Sequence, residues 1–206
     1  GPVIGKRGQA LRFNGSTSNI NLGSISLAPN EETVSAWIRA DTVAAGLMEI
    51  VGGIRTDGNG EFALEINRTA GRFGIAWAAI VILTGNVALS SNTWYHVVGV
   101  RRGSSGSWTA LIYINGVLDN SVTTAVNPNS TGYRIGTLND VSSSFFNGLI
   151  DDVRVYNYAL SASEVNKLFQ SGAAKFNVPP TKSLATGLVG YWTMDGKDTN
   201  WATGAV

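Results

Sequence analysis

The residues that could carry chemistry in this chain are few. Glu61 and Glu65 share one face of a predicted strand, and paired carboxylates are the equipment of a retaining glycosidase, one acting as nucleophile and the other as acid and base. Four residues of extended backbone separate them by about 13 Å, too far for that mechanism. His96 is the single histidine, cysteine is absent, and no acid neighbours His96 in sequence. The chain therefore offers no triad or zinc site around it, and a structural role is expected. Six tryptophans remain, Trp37, Trp77, Trp94, Trp108, Trp192 and Trp201. Sugars pack their C–H faces on aromatic rings. Trp77 and Trp108 are the candidate ligand contacts, Trp108 because it adjoins the loop from Gly103 to Ser107.

Composition narrows the partners. The 206 residues carry 15 basic and 14 acidic side chains, a formal net charge of +1, and 44% hydrophobic residues. Nucleic acid and anionic membrane surfaces call for clustered Lys and Arg, and no basic stripe is visible. No window approaches the ~20 apolar residues of a transmembrane helix, so membrane insertion is not expected. The absence of cysteine excludes disulfides and thiol catalysis but not export, because a chain of this length can bury one sufficient core.

The elements that must position these residues read as strands. Glu32 to Ala40 alternates, with Val34, Ala36 and Ile38 on one face and Thr33, Ser35, Trp37 and Arg39 on the other. Further strands are predicted at Ala10–Asn14, Ile20–Leu22, Leu47–Ile54, Glu61–Ile66, Arg72–Trp77, Ile80–Val87, Trp94–Arg101 and Trp108–Asn115. Asp57-Gly58-Asn59-Gly60 signals a hairpin, and Asn115-Gly116 signals a type I′ hairpin into Val117–Thr123. A long strand from Asn147 to Tyr156 is expected to place Leu149, Asp151, Val153 and Val155 on one face and Ile150, Asp152, Arg154 and Tyr156 on the other, with Asp152 a solvated charge. A capping box of Ser161 and Glu164 then opens a short helix with Leu160, Val165, Leu168 and Phe169 on its apolar side, which Gly172 can end.

The long strand running into one capped helix resembles the close of a laminin G-like domain of the concanavalin A-like superfamily. Gly8–Gly15, Thr33–Ile38, Trp94–Val100, Tyr113–Val117 and Tyr133–Gly136 match in family order. The resemblance implies an all-β fold, a two-sheet antiparallel jelly-roll sandwich with one short helix near the C-terminus. It makes Trp37, Trp94 and Trp192 structural. It also implies a structural Ca²⁺ held by Asp151 and by Asp195 of the first-strand segment, although the family's acidic loop after that strand has no counterpart here.

In the resembling domains the segment like Gly187–Gly196 comes first, whereas here it comes last. The reading is a sandwich body over residues 1–172, an extended linker over 173–186 containing Pro179-Pro180, and a displaced first strand over 187–206. Leu188, Val189, Tyr191, Trp192 and Met194 would fill the vacant slot, in cis or in a neighbouring chain. An extended linker of this length reaches at most about 45 Å, which leaves both routes open. The function expected from the resemblance is a non-enzymatic, secreted or cell-surface module that binds a glycan or a surface protein. Two alternatives stand beside it: a filament or surface-layer subunit assembling through residues 187–196, and a glycoside hydrolase.

Overall fold

The structure is a computed structural model that describes residues 2–25, 30–43, 46–53, 62–67, 71–77, 80–104, 106–125, 132–137, 144–173 and 186–194. The expected hairpin at Asp57–Gly60 and the linker over 174–185 lie outside the described residues. Strands numbered in chain order form two antiparallel sheets. The larger, eight-stranded sheet runs β1 (Pro2–Ile4), β2 (Gln9–Asn14), β13 (Asn147–Tyr156), β4 (Glu31–Ala40), β9 (Tyr95–Ser104), β10 (Ser107–Ile114) and β11 (Val117–Thr124), with β14 (Leu188–Trp192) also on β13. The six-stranded sheet runs β3 (Ile20–Ser24), β12 (Gly132–Ile135), β5 (Met48–Gly53), β6 (Ala63–Ile66), β7 (Arg72–Trp77) and β8 (Ile80–Ala88). Strands β1 and β12 are additions to the predicted set.

Period-2 alternation decides what lies between the sheets. Val34, Ala36 and Ile38 of β4 join Val97, Ala110 and Ile112 in one buried cluster with Ile50, Leu64, Phe73, Ile75, Tyr133 and Ile135 of the opposing sheet. One sandwich edge is tied by side chains: the Asp119 carboxylate accepts the Asn86 N–H at 2.6 Å and the Val87 N–H at 3.2 Å. The Asn115-Gly116 turn has both φ angles positive, at 51° and 80°, which is what a type I′ turn requires.

Helix α1 (Ala162–Ala173) opens on the predicted box. Glu164 Oε2 accepts the Ser161 N–H at 2.8 Å, and the Glu164 N–H donates to Ser161 Oγ at 3.4 Å. The helix lays Val165 and Leu168 on the outer face of the larger sheet, against Val98, Val100, Leu111, Tyr113 and Tyr156. Gly172 does not terminate α1, which runs to Ala173. Its role is close approach: a Cβ there would run into the indole of Trp37, itself stacked on Phe169 at 5.6 Å. Replacing Gly172 with Val should cost about 1–3 kcal/mol through overpacking, read as a lower urea midpoint at unchanged slope.

Candidate functional site

The chemistry-bearing residues gather around an irregularity in β13. Asp152 has φ of 53°, and the pairing with β4 shifts register between Asp151 and Arg154. One extra residue in a strand reverses the alternation beyond it. Ile150, Val153 and Val155 therefore share the inner face, while Leu149, Arg154 and Tyr156 lie outside, which corrects the simple alternation read from the sequence. Asp152 is not a solvated charge. It is 5% exposed and ion-paired with Arg154 at 3.0 Å and Arg7 at 3.3 Å. Burial by itself would raise its carboxyl, but the two guanidinium groups outweigh burial and hold it below the usual carboxylate range.

The same bulge seats the C-terminal strand. β2 pairs with Asn147 to Ile150 and β14 pairs with Val153 to Tyr156 on the same edge of β13, one after the other. Met194 is fully buried and Trp192 is 9% exposed in the inter-sheet core, with Val189 packed against it, while Leu188 packs against the cluster under α1. Tyr191 lies opposite Arg154, whose guanidinium sits 4.4 Å from its ring centroid. Burial first, and then Asp152, push the Tyr191 phenol up to about 12. The segment 187–194 thus pairs with the body of its own chain.

Calcium requires six to eight oxygens. Asp151 is fully buried, and its Oδ2 accepts the Arg7 N–H at 2.8 Å. Among the described residues no three His, Cys, Asp or Glu side chains converge on a metal position, and Asp195 lies outside them. The calcium expectation rests on the pair Asp151 and Asp195: a melting temperature lowered by EDTA and restored by Ca²⁺ would establish the site, and an unchanged one would exclude it.

The aromatic candidates separate. Trp108 is only 3% exposed, so its ring gives no stacking platform; Arg101 covers it at 5.2 Å and is in turn bound by the buried Glu32 at 3.0 Å. Burial raises the Glu32 carboxyl to about 7, against the pull of Arg101. Trp77 belongs to β7, and its side chain lies outside the described residues. His96 is structural in its surroundings, 3% exposed and 5.2 Å from Trp37, ring to ring.

Burial lowers the His96 pKa to about 4, with Asp152 opposing and Arg154 reinforcing. The unfolded chain takes up that proton near 6.5. Its contribution is therefore full above pH 6.5 and disappears as pH falls toward 4, a loss of roughly 3 kcal/mol. Glu32 runs the other way, its contribution being present below 4.5 and lost as pH rises through about 7. Comparing the wild type with His96→Phe isolates the first effect: the variant should lose less stability between pH 7 and pH 4.5.

The outer face of the six-stranded sheet carries a different pair from the one weighed in the sequence. Glu61 lies outside the described residues. Glu65 instead stands directly across from Glu49 of β5, with Gly74 and then Thr84 continuing the row. Directly opposed Cβ atoms are about 5 Å apart, a spacing that suits retaining chemistry. Both carboxylates are 1% exposed and engaged by neighbours. Glu49 was not legible as a partner, because cross-strand register depends on pairing that sequence spacing does not encode.

Comparisons with known proteins agree with this architecture. The sequence pattern of the concanavalin A-like lectin/glucanases superfamily, in its laminin G-like branch, matches residues 14–166. No curated protein sequence matches the chain. Among solved structures, the chain is similar to domain 4 of AbnA, an extracellular arabinanase of Geobacillus stearothermophilus in complex with arabinotriose. That match has a TM-score of 0.64 and 25% identity over 82% of this chain and 80% of that one. It is similar to the heptameric SAP-like pentraxin of Limulus polyphemus, with a TM-score of 0.61 and 17% identity over 84% of each chain. It is also similar to part of the Trypanosoma rangeli sialidase, with a TM-score of 0.59 and 17% identity over 78% of this chain and 27% of that one.

Proposed function

The chain belongs to the concanavalin A-like lectin/glucanases superfamily, and from that premise we propose that it is a carbohydrate-binding module without catalytic activity of its own, working outside the cell in secreted or surface-attached form. The observation that supports this most directly is the likeness to the arabinanase domain in complex with arabinotriose, which extends over four fifths of both chains. The fold alone would not carry the reading, because one architecture hosts many functions. Burial of the facing carboxylates Glu49 and Glu65 supports binding over hydrolysis.

The pairing of β14 with β13 of the same chain supports a self-contained module rather than a filament subunit. Donation to a neighbour would require each chain to leave a slot that it fills itself. Light scattering is expected to give the monomer mass, and concentration-dependent growth that vanishes on removal of residues 187–206 would favour the filament.

A polysaccharide array followed by product analysis tests the binding reading. Retention on one class of glycan with no released sugar is expected. Sugar release that disappears in Glu65→Gln would replace the module with a hydrolase.

A further inference from the structure

The outer face of the larger sheet is covered by α1 over β9, β10 and the C-terminal half of β13, and beyond the last turn of that helix it carries cations. Arg12 of β2 and Arg39 of β4 are both paired with Leu149 of β13, from opposite sides. The three form one row on the outer face. Two strand spacings place the arginine Cα atoms about 10 Å apart. Lys6, from the turn between β1 and β2, lies 4.9 Å from the ring centroid of Trp37, which precedes Arg39 by two residues on the same face. Three cations thus share one corner of a chain whose formal net charge is only +1.

Their partners are fewer than their charges. Arg12 is ion-paired with Asp41, the acid at the end of β4. Arg39 makes no hydrogen bond or ion pair with the described residues, and its Nε is buried without an acceptor. Lys6 has the Trp37 ring and no carboxylate among the described residues. Asp151, opposite Trp37, accepts the Arg7 N–H. The Nε of Arg39 is out of reach of solvent, but Arg39 as a whole is only partly buried, and a planar anion suits the part of its fork that meets solvent.

We propose that Lys6, Arg12 and Arg39 form an anion subsite that selects a polysaccharide bearing carboxylate or sulfate groups. This rests on the carbohydrate-binding reading and adds the substrate class. Leu149 is 3% exposed and only spaces the two arginines, so the ligand contacts fall to the charged side chains. Arg39 and Lys6 supply the unsatisfied donors, and Arg12 can turn from Asp41 toward the ligand at small cost, since exposed ion pairs are weak.

The test is affinity electrophoresis of the full chain through gels containing polygalacturonate, dextran sulfate or neutral arabinan, with phosphatidylserine vesicles as a separate arm. The expected result is retardation by an acidic polysaccharide, weakened by salt and reduced at least about tenfold in Arg39→Gln and in Lys6→Gln. Melting temperatures confirm that the variants fold, Arg39→Lys should keep part of the affinity, and Lys167→Gln on the exposed side of α1 should change nothing. Carboxylate and sulfate sources are told apart by which of the two acidic gels retards the chain. Equal retardation of wild type and both variants, or retardation by arabinan alone, overturns the anion subsite and leaves carbohydrate binding standing. Retardation by no polysaccharide in the panel counts against both, and capture by vesicles alone assigns the corner to a membrane and overturns the proposal.

Discussion

Removing residues 187–206 destabilises the domain by about 5 kcal/mol or more, enough to leave a marginal body unfolded at physiological temperature. The strand lost is part of the core. Met194 is fully buried, Trp192 is 9% exposed, and Val189 packs against the same inter-sheet cluster. Truncation exposes these contacts and also strips four paired residues of β13, from Val153 to Tyr156, of their neighbours on one side. Urea unfolding of the full and shortened chains measures the loss, and a peptide spanning 187–196 should restore part of it when added. An unchanged midpoint would mean that β14 only decorates the edge.

The second large effect belongs to Asp152. Changing it to Ala leaves Arg154 and Arg7 without their carboxylate, and stranding a buried charge in this way costs about 3–5 kcal/mol. Arg154 is held more basic than usual by Asp152, against the effect of its own burial, so it cannot escape by losing its proton. The double variant Asp152→Ala with Arg154→Met should recover much of the loss, because it removes both charges. The pH dependence has a definite sign. The Asp152 carboxyl titrates below its unfolded value, so its contribution is full above about pH 3.9 and is lost only as pH falls further. A midpoint for Asp152→Ala within 1 kcal/mol of wild type, on the order expected for a surface ion pair, would contradict the clamp.

Local rules made part of this legible. The alternation of β4, the Ser161–Glu164 box and the Asn115-Gly116 turn are each written within a few residues, and each is found where the sequence puts it. The all-β sandwich follows from those patterns together with the matching family segments. The bulge at Asp152 was not legible, because an unremarkable Asp with positive φ carries no signal in type or spacing. That one residue reversed the faces of everything beyond it on β13. Trp108 was misjudged for a related reason: a tryptophan beside a loop looks accessible until Arg101 from the adjacent strand is known to cover it. The rows Arg12–Leu149–Arg39 and Glu49–Glu65 depend on registers between strands distant in sequence, and only the folded pairing brings them together.

Binding without hydrolysis is the central claim, and a calorimetric titration of the full chain with arabinotriose and with acidic oligosaccharides tests it most directly. A saturable heat with one of them, at a stoichiometry of one per chain and with the sugar recovered intact, is the predicted result. No heat with any of them, or recovery of shortened sugar, would contradict it.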